Sequence, residues 1–142
     1  MKVQFIIPSK QNITNPIAGD YQLIPIDQLQ SIPPASCNAI YVGDCCDYFP
    51  NREEILQTIL SKLRYGGELL IDGIDLLMLC RGVSNGTVQQ KDAKNLLFNK
   101  KQSCSTIKDT SDLLIRTNLS IVESRLMQCR YSIKAVRPHP NS

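Results

Sequence analysis

The chain opens on a run with little alternation, Lys2-Val3-Gln4-Phe5-Ile6-Ile7, which predicts a strand covered on both faces. Residues 8–20 hold Pro8, Asn12, Asn15, Pro16 and Gly19 and predict a loop. Residues 21–26 form a second apolar run, in which Pro25 removes a ladder donor and so predicts an edge strand. Residues 29–38, with Pro33-Pro34, read as a loop, and Ala39-Ile40-Tyr41-Val42 as a short buried strand ending at Gly43-Asp44. Beyond it the period becomes helical. Ile55, Leu56, Ile59, Leu60 and Leu63 fall on one face of a helix over 52–64. Asn51 stands as its N-cap with Glu54 as capping-box partner, and Gly66-Gly67 is its stop. Residues 68–72 predict the next strand. Strand, amphipathic helix, Gly-Gly turn and strand make a right-handed crossover, so the two strands are expected to be parallel.

Residues 74–80 are apolar and read either as a short helix or as a run into a loop. Ser84-Asn85-Gly86 predicts a turn, and 91–98 a helix that buries Leu96, Leu97 and Phe98. After a polar connector at 100–109, Ser111 is placed to cap a last helix through Leu113, Leu114 and Ile115, with Asn118 in the left-handed position at its end. Strands at 119–123 and 130–136 are expected to pair antiparallel. The pattern as a whole predicts one mostly parallel α/β sheet with an antiparallel C-terminal hairpin. Residues 1–137 form a single domain in this reading and 138–142 a flexible tail.

Composition narrows the chemistry. At 142 residues the chain is one domain's worth, and a net charge of +3 is too small to argue for a polyanion partner. Lys91, Lys94, Lys100, Lys101 and Lys108 lie without interleaved aromatics, so nucleic acid is not an expected partner. No stretch approaches the roughly 20 apolar residues that cross a bilayer, and the opening apolar run is too short for a secretory signal. The expectation is a protein of a reducing cytoplasm with no membrane contact. Six cysteines stand at 37, 45, 46, 80, 104 and 129 with no CxxC pair. Cys37, Cys80 and Cys129 are expected to be reduced and mostly buried, and the adjacent Cys45-Cys46 pair to hold no metal. His139, between two prolines, is not a catalytic candidate.

The stretch from Ile26 to Asp72 resembles the middle of a class I S-adenosylmethionine-dependent methyltransferase of the small "methyltransferase domain 11" kind. The residues that carry this are Asp27, Leu29, Ile32-Pro33, the strand Ala39 to Val42, the helix after Asn51 and Tyr65-Gly66-Gly67-Glu68-Leu69. Cys46-Asp47-Tyr48-Phe49 stands where the family often has Leu-Glu-His-Phe. Leu119 to Glu123 and Tyr131 to Pro138 resemble its closing antiparallel hairpin. The resemblance implies a Rossmann-like sheet, reduced in its N-terminal part. It places Asp27 where the family's acid meets the adenine amine, and Gly43 and Asp44 at the crevice edge where ligands bind. Asp47 with Tyr48 stands as a candidate acid–base pair.

The front of the chain departs from the family. A working member runs its first strand into a Gly-x-Gly-x-Gly turn; this chain has Ile6-Ile7-Pro8-Ser9-Lys10 and no glycine before Gly19. The family then has a helix and a second strand ending in an acid that holds the ribose hydroxyls. The roughly twenty residues between Ile7 and Asp27 are too few for that unit plus the next strand. Two functions stay open. In the first, this is a degenerate methyltransferase fold kept as a non-catalytic interaction or structural module with protein partners, such as a subunit of a virus particle, and no cofactor is expected. In the second, it is a small active methyltransferase that holds S-adenosylmethionine with an unusual Ser9-Lys10 loop or with a partner's help.

Overall fold

A computed structural model describes residues 1–8, 19–98 and 100–140. The described strands are β1 (Lys2–Ile6), β2 (Gln22–Pro25), β3 (Cys37–Gly43), β4 (Leu63–Ile74), β5 (Ser120–Met127) and β6 (Arg130–Val136). They form one six-stranded sheet in the order β2-β1-β3-β4-β6-β5. β1 pairs parallel with β2 and β3, and β3 parallel with β4; β6 lies antiparallel to both β4 and β5. The predicted mostly parallel α/β sheet with an antiparallel hairpin is therefore present, with Pro25 on an edge strand as its missing donor requires.

Helix α1 (Arg52–Ser61) joins β3 to β4, and helix α4 (Ile107–Arg116) precedes β5. Both cover the same face of the sheet. Leu56, Ile59 and Leu60 of α1 and Leu113 and Leu114 of α4 share one core with Val3, Phe5, Ile40, Val42, Leu69, Ile71 and Ile133. The stripe read from the sequence is the buried face of α1. Between β4 and α4 lie α2 (Leu76–Asn85) and α3 (Gln90–Phe98), which pack on a smaller core of Ile74, Leu79 and Ala93.

Several boundaries differ from the sequence expectation. Helix α1 stops at Ser61, with the Lys62 amide bonded back to Ile59, and Leu63 begins β4 opposite Cys37. Leu63 is fully buried in that strand, and burial is all that a 3.6-residue stripe detects. Gly66-Gly67 does not stop the helix. The pair lies inside an irregular stretch of β4, where Gly66 takes φ +78° and donates its amide to the Arg137 carbonyl. Asn51 sits at the N-cap of α1 but makes no side-chain cap; its amide reaches the Glu54 carboxylate at 3.4 Å instead. Thr106, not Ser111, caps α4 by accepting the Asp109 amide at 3.0 Å, so the helix starts a full turn earlier. Asn118 does take the left-handed conformation at its end, φ +68°. Phe98 is exposed rather than buried, because it lies one residue beyond the last of α3 to meet the small core. Asp75 links two helix starts: one carboxylate oxygen accepts the Met78 amide at 2.8 Å, the other the Ile107 amide at 2.7 Å.

Candidate functional site

Parallel pairing puts the carboxyl ends of β1, β2 and β3 on one edge of the sheet, the edge where open α/β sheets bind ligands. The three sequence-predicted residues come together there. Asp27 is exposed, two residues beyond β2's end at Pro25, in a short 3-10 helix (Ile26–Ser31). Gly43 closes β3 with φ +58°, which lets the chain turn sharply into Asp44. Ser9 and Lys10, the alternative cofactor loop, lie outside the described residues.

Past Gly43 the described residues of this edge are tied to their neighbours. A second 3-10 turn (Cys45–Tyr48) folds back over the end of β1. Cys45 Sγ donates to the carbonyl oxygen of Phe5 at 3.3 Å. Asp44 pairs with Lys101, Oδ2 to Nζ 3.5 Å, and that lysine side chain is only 10% exposed. Cys46 and Asp47 are buried.

Asp47 is 3% exposed and belongs to a buried polar network, not to an acid–base pair facing solvent. Its Oδ1 meets Arg52 Nε at 3.2 Å. The same guanidinium donates to Thr110 Oγ1 at 3.0 Å and to the Tyr131 hydroxyl at 2.9 Å, and Thr110 and Tyr131 lie 3.1 Å apart. The Asp47 carbonyl accepts the Gln102 and Ser103 amides. Burial pushes the Asp47 carboxyl up while Arg52 opposes it. Burial alone would lower the Arg52 guanidinium, but Tyr131 and Asp47 outweigh it and hold it charged. Tyr48 packs half-buried against the main core. Among the described residues no buried side-chain nitrogen or oxygen lacks a partner. The network therefore has the completeness of a structural device. Sequence reasoning missed Arg52 because two of its partners, Thr110 and Tyr131, are 58 and 79 residues away.

A cleft of about 900 Å³ opens between the first turn of α1 and α4, lined by Asn51, Glu54, Ser103, Cys104, Asp109 and Arg116 among others. Neither Asp27 nor Gly43 nor Asp44 lines it.

Cys37, Cys45 and Cys46 are buried, Cys129 is half-buried, and Cys80 and Cys104 are exposed. All six thiols are free. Cys80 departs from the expected burial because it falls on the outward side of α2, whose core contact is Leu79. No group of three His, Cys, Asp or Glu among the described residues could hold a metal ion, and no described helix is long and apolar enough to cross a membrane. Burial pushes the Cys46 thiol up to about 12 from its ordinary 9.0. A folded-state value above the unfolded one contributes stability that is present below pH 9.0 and is lost as the pH rises toward 12. Cys46 alone should then remove about 2 kcal/mol of stability by about pH 10.5. Denaturant titrations across that range should show a shallower alkaline loss for Cys46→Ala than for the parent. In the native protein at neutral pH, Cys80 and Cys104 should alkylate well before the three buried thiols. Alkylation of Cys46 at a similar rate would contradict the burial.

No family model matches the sequence, and no curated protein does. Solved structures do match the fold. An O-methyltransferase family protein from Burkholderia thailandensis superposes with a TM-score of 0.60 at 12% identity, over 86% of this chain and 37% of that one. An S-adenosylmethionine-dependent methyltransferase from Mesorhizobium loti gives 0.59 at 14%, over 87% and 72%. A putative methyltransferase from Haloferax volcanii, solved in complex with the Trm112 methyltransferase activator, gives 0.59 at 9%, over 84% and 62%. The chain has the class I methyltransferase fold, and it spans little more than a third of the Burkholderia protein's length.

Proposed function

We propose that this chain is a degenerate methyltransferase-fold domain that serves as a non-catalytic interaction or structural module for a protein partner. The observation that carries this reading is the fate of the segment after β3. Where a cofactor would need open polar groups, Cys45 bonds back to the Phe5 carbonyl, Lys101 occupies Asp44, and Asp47 is buried against Arg52. On this reading the described residues do not fit S-adenosylmethionine. At the end of β1 the chain runs Ile6-Ile7-Pro8 with no glycine to admit the cofactor, and Pro8 offers no backbone donor. A fold outlives its site when the sheet still serves as a scaffold.

The test is thermal unfolding with and without cofactor. A ligand held at about a thousandfold its dissociation constant adds about 4 kcal/mol to stability, a shift of many degrees for a domain of this size. We expect no shift with millimolar S-adenosylmethionine or S-adenosylhomocysteine. A second reading, an active enzyme completed by a partner chain, is favoured by two observations. Asp27 is exposed at the carboxyl end of the strand beside β1, open to a ligand. The Haloferax methyltransferase was solved together with an activator. On that reading a shift would appear once the partner is added.

A further inference from the structure

Strand β5 is the outer edge of the sheet on the side away from β2. Seven of its eight residues are exposed, including Val122 at 60%, Leu126 at 41% and Met127 at 72%. An edge of this length offers a row of backbone donors and acceptors to another strand, and charged side chains on an edge usually discourage such pairing. Here the charges are Glu123 and Arg125, of opposite sign, one on each side of Ser124 and paired with each other in the single chain, a pairing that a second copy can exchange for two across the interface.

We propose that β5 is a self-complementary docking strand that pairs antiparallel with β5 of a second copy of this chain, about a two-fold axis through Ser124. In that register Glu123 lies opposite the partner's Arg125 and Ser124 opposite its own copy, and the bulge between Ile121 and Glu123 bounds the regular part of the strand. Each of the two charges meets its opposite. The same two charges exclude the alternatives. Sliding the antiparallel register by two residues puts Glu123 against the partner's Glu123 in one direction and Arg125 against the partner's Arg125 in the other. In-register parallel pairing brings both like-charged pairs together. A slip of one residue exchanges the faces of the strand. The edge thus favours one partner and one register. This interface lies apart from the Asp27–Gly43–Asp44 edge, and its existence is independent of whether the domain is catalytic.

The test is sedimentation velocity of the full chain over a concentration series. The parent should dimerise within about 100 µM. Glu123→Arg and Arg125→Glu should each weaken dimerisation at least tenfold. Both side chains are well exposed, so these variants should keep the parent's far-UV circular dichroism and melting temperature. When the two weakened variants are mixed they should form a heterodimer, because one now presents two arginines and the other two glutamates. A monomeric parent at about 100 µM would overturn the proposal. So would a dimer indifferent to either reversal, or two variants that fail to associate on mixing.

Discussion

Replacing Arg52 by methionine should lower the stability of the fold by about 3–5 kcal/mol, a large share of what a domain this size has to lose. The guanidinium is the cation that the described residues pair with the buried Asp47 carboxylate, and it also donates to Thr110 and Tyr131. Without it, a carboxylate that is 3% exposed must either stay charged in a poor environment or take up a proton. Removing both partners, Asp47→Leu with Arg52→Met, should cost much less than Arg52→Met alone, because no uncompensated charge then remains inside. Equilibrium urea unfolding of the parent, both single variants and the double variant measures the coupling directly. An Arg52→Met variant within about 0.5 kcal/mol of the parent would mean that the network is not structural, and would return Asp47 to the list of chemically available groups.

The second large effect belongs to the core. Leu56 is fully buried on α1, in the same cluster as Val42, Leu69 and Leu114. Truncation to alanine removes three carbons' worth of contact and leaves a space that the sheet on one side and the helix backbone on the other cannot close. The expected cost is about 2–5 kcal/mol by denaturant unfolding. Ile55, one position round the helix, is only partly buried, so Ile55→Ala should cost clearly less. Equal costs would place the wrong face of α1 against the sheet.

These two sites differ in how far the sequence announces them. Leu56 belongs to a local period of 3.6 residues, and a local pattern can be read without knowing the fold. The strands were legible for the same reason, as was the shared edge of Asp27, Gly43 and Asp44, since parallel strands bring their carboxyl ends to one side. Leu63 shows the limit. It fits the helical stripe and is buried, yet it begins a strand, and burial alone cannot separate the two. Arg52 and Lys101 show a different limit. Their positions suit a solvated surface, and only long-range contacts, Arg52 with Tyr131 and Lys101 with Asp44, turn them inward. The tying down of Asp44 and Asp47 was illegible because it depends on those contacts. That no glycine stands between Ile7 and Gly19 is a fact of the sequence itself and depends on none.

The most direct test of the non-catalytic reading is calorimetric titration of the isolated chain with S-adenosylmethionine and S-adenosylhomocysteine. A cofactor of this size needs a concave site with a few well-placed polar groups. Each polar group left buried without a partner costs about 1–3 kcal/mol, and each 1.4 kcal/mol is about tenfold in affinity. Two or three such losses, at the end of β1 and at Asp44, take a micromolar binder to about millimolar or weaker, so no binding isotherm should be resolved at micromolar protein. A dissociation constant near micromolar, weakened at least tenfold by Asp27→Ala, would contradict this reading and make the domain a cofactor-binding methyltransferase.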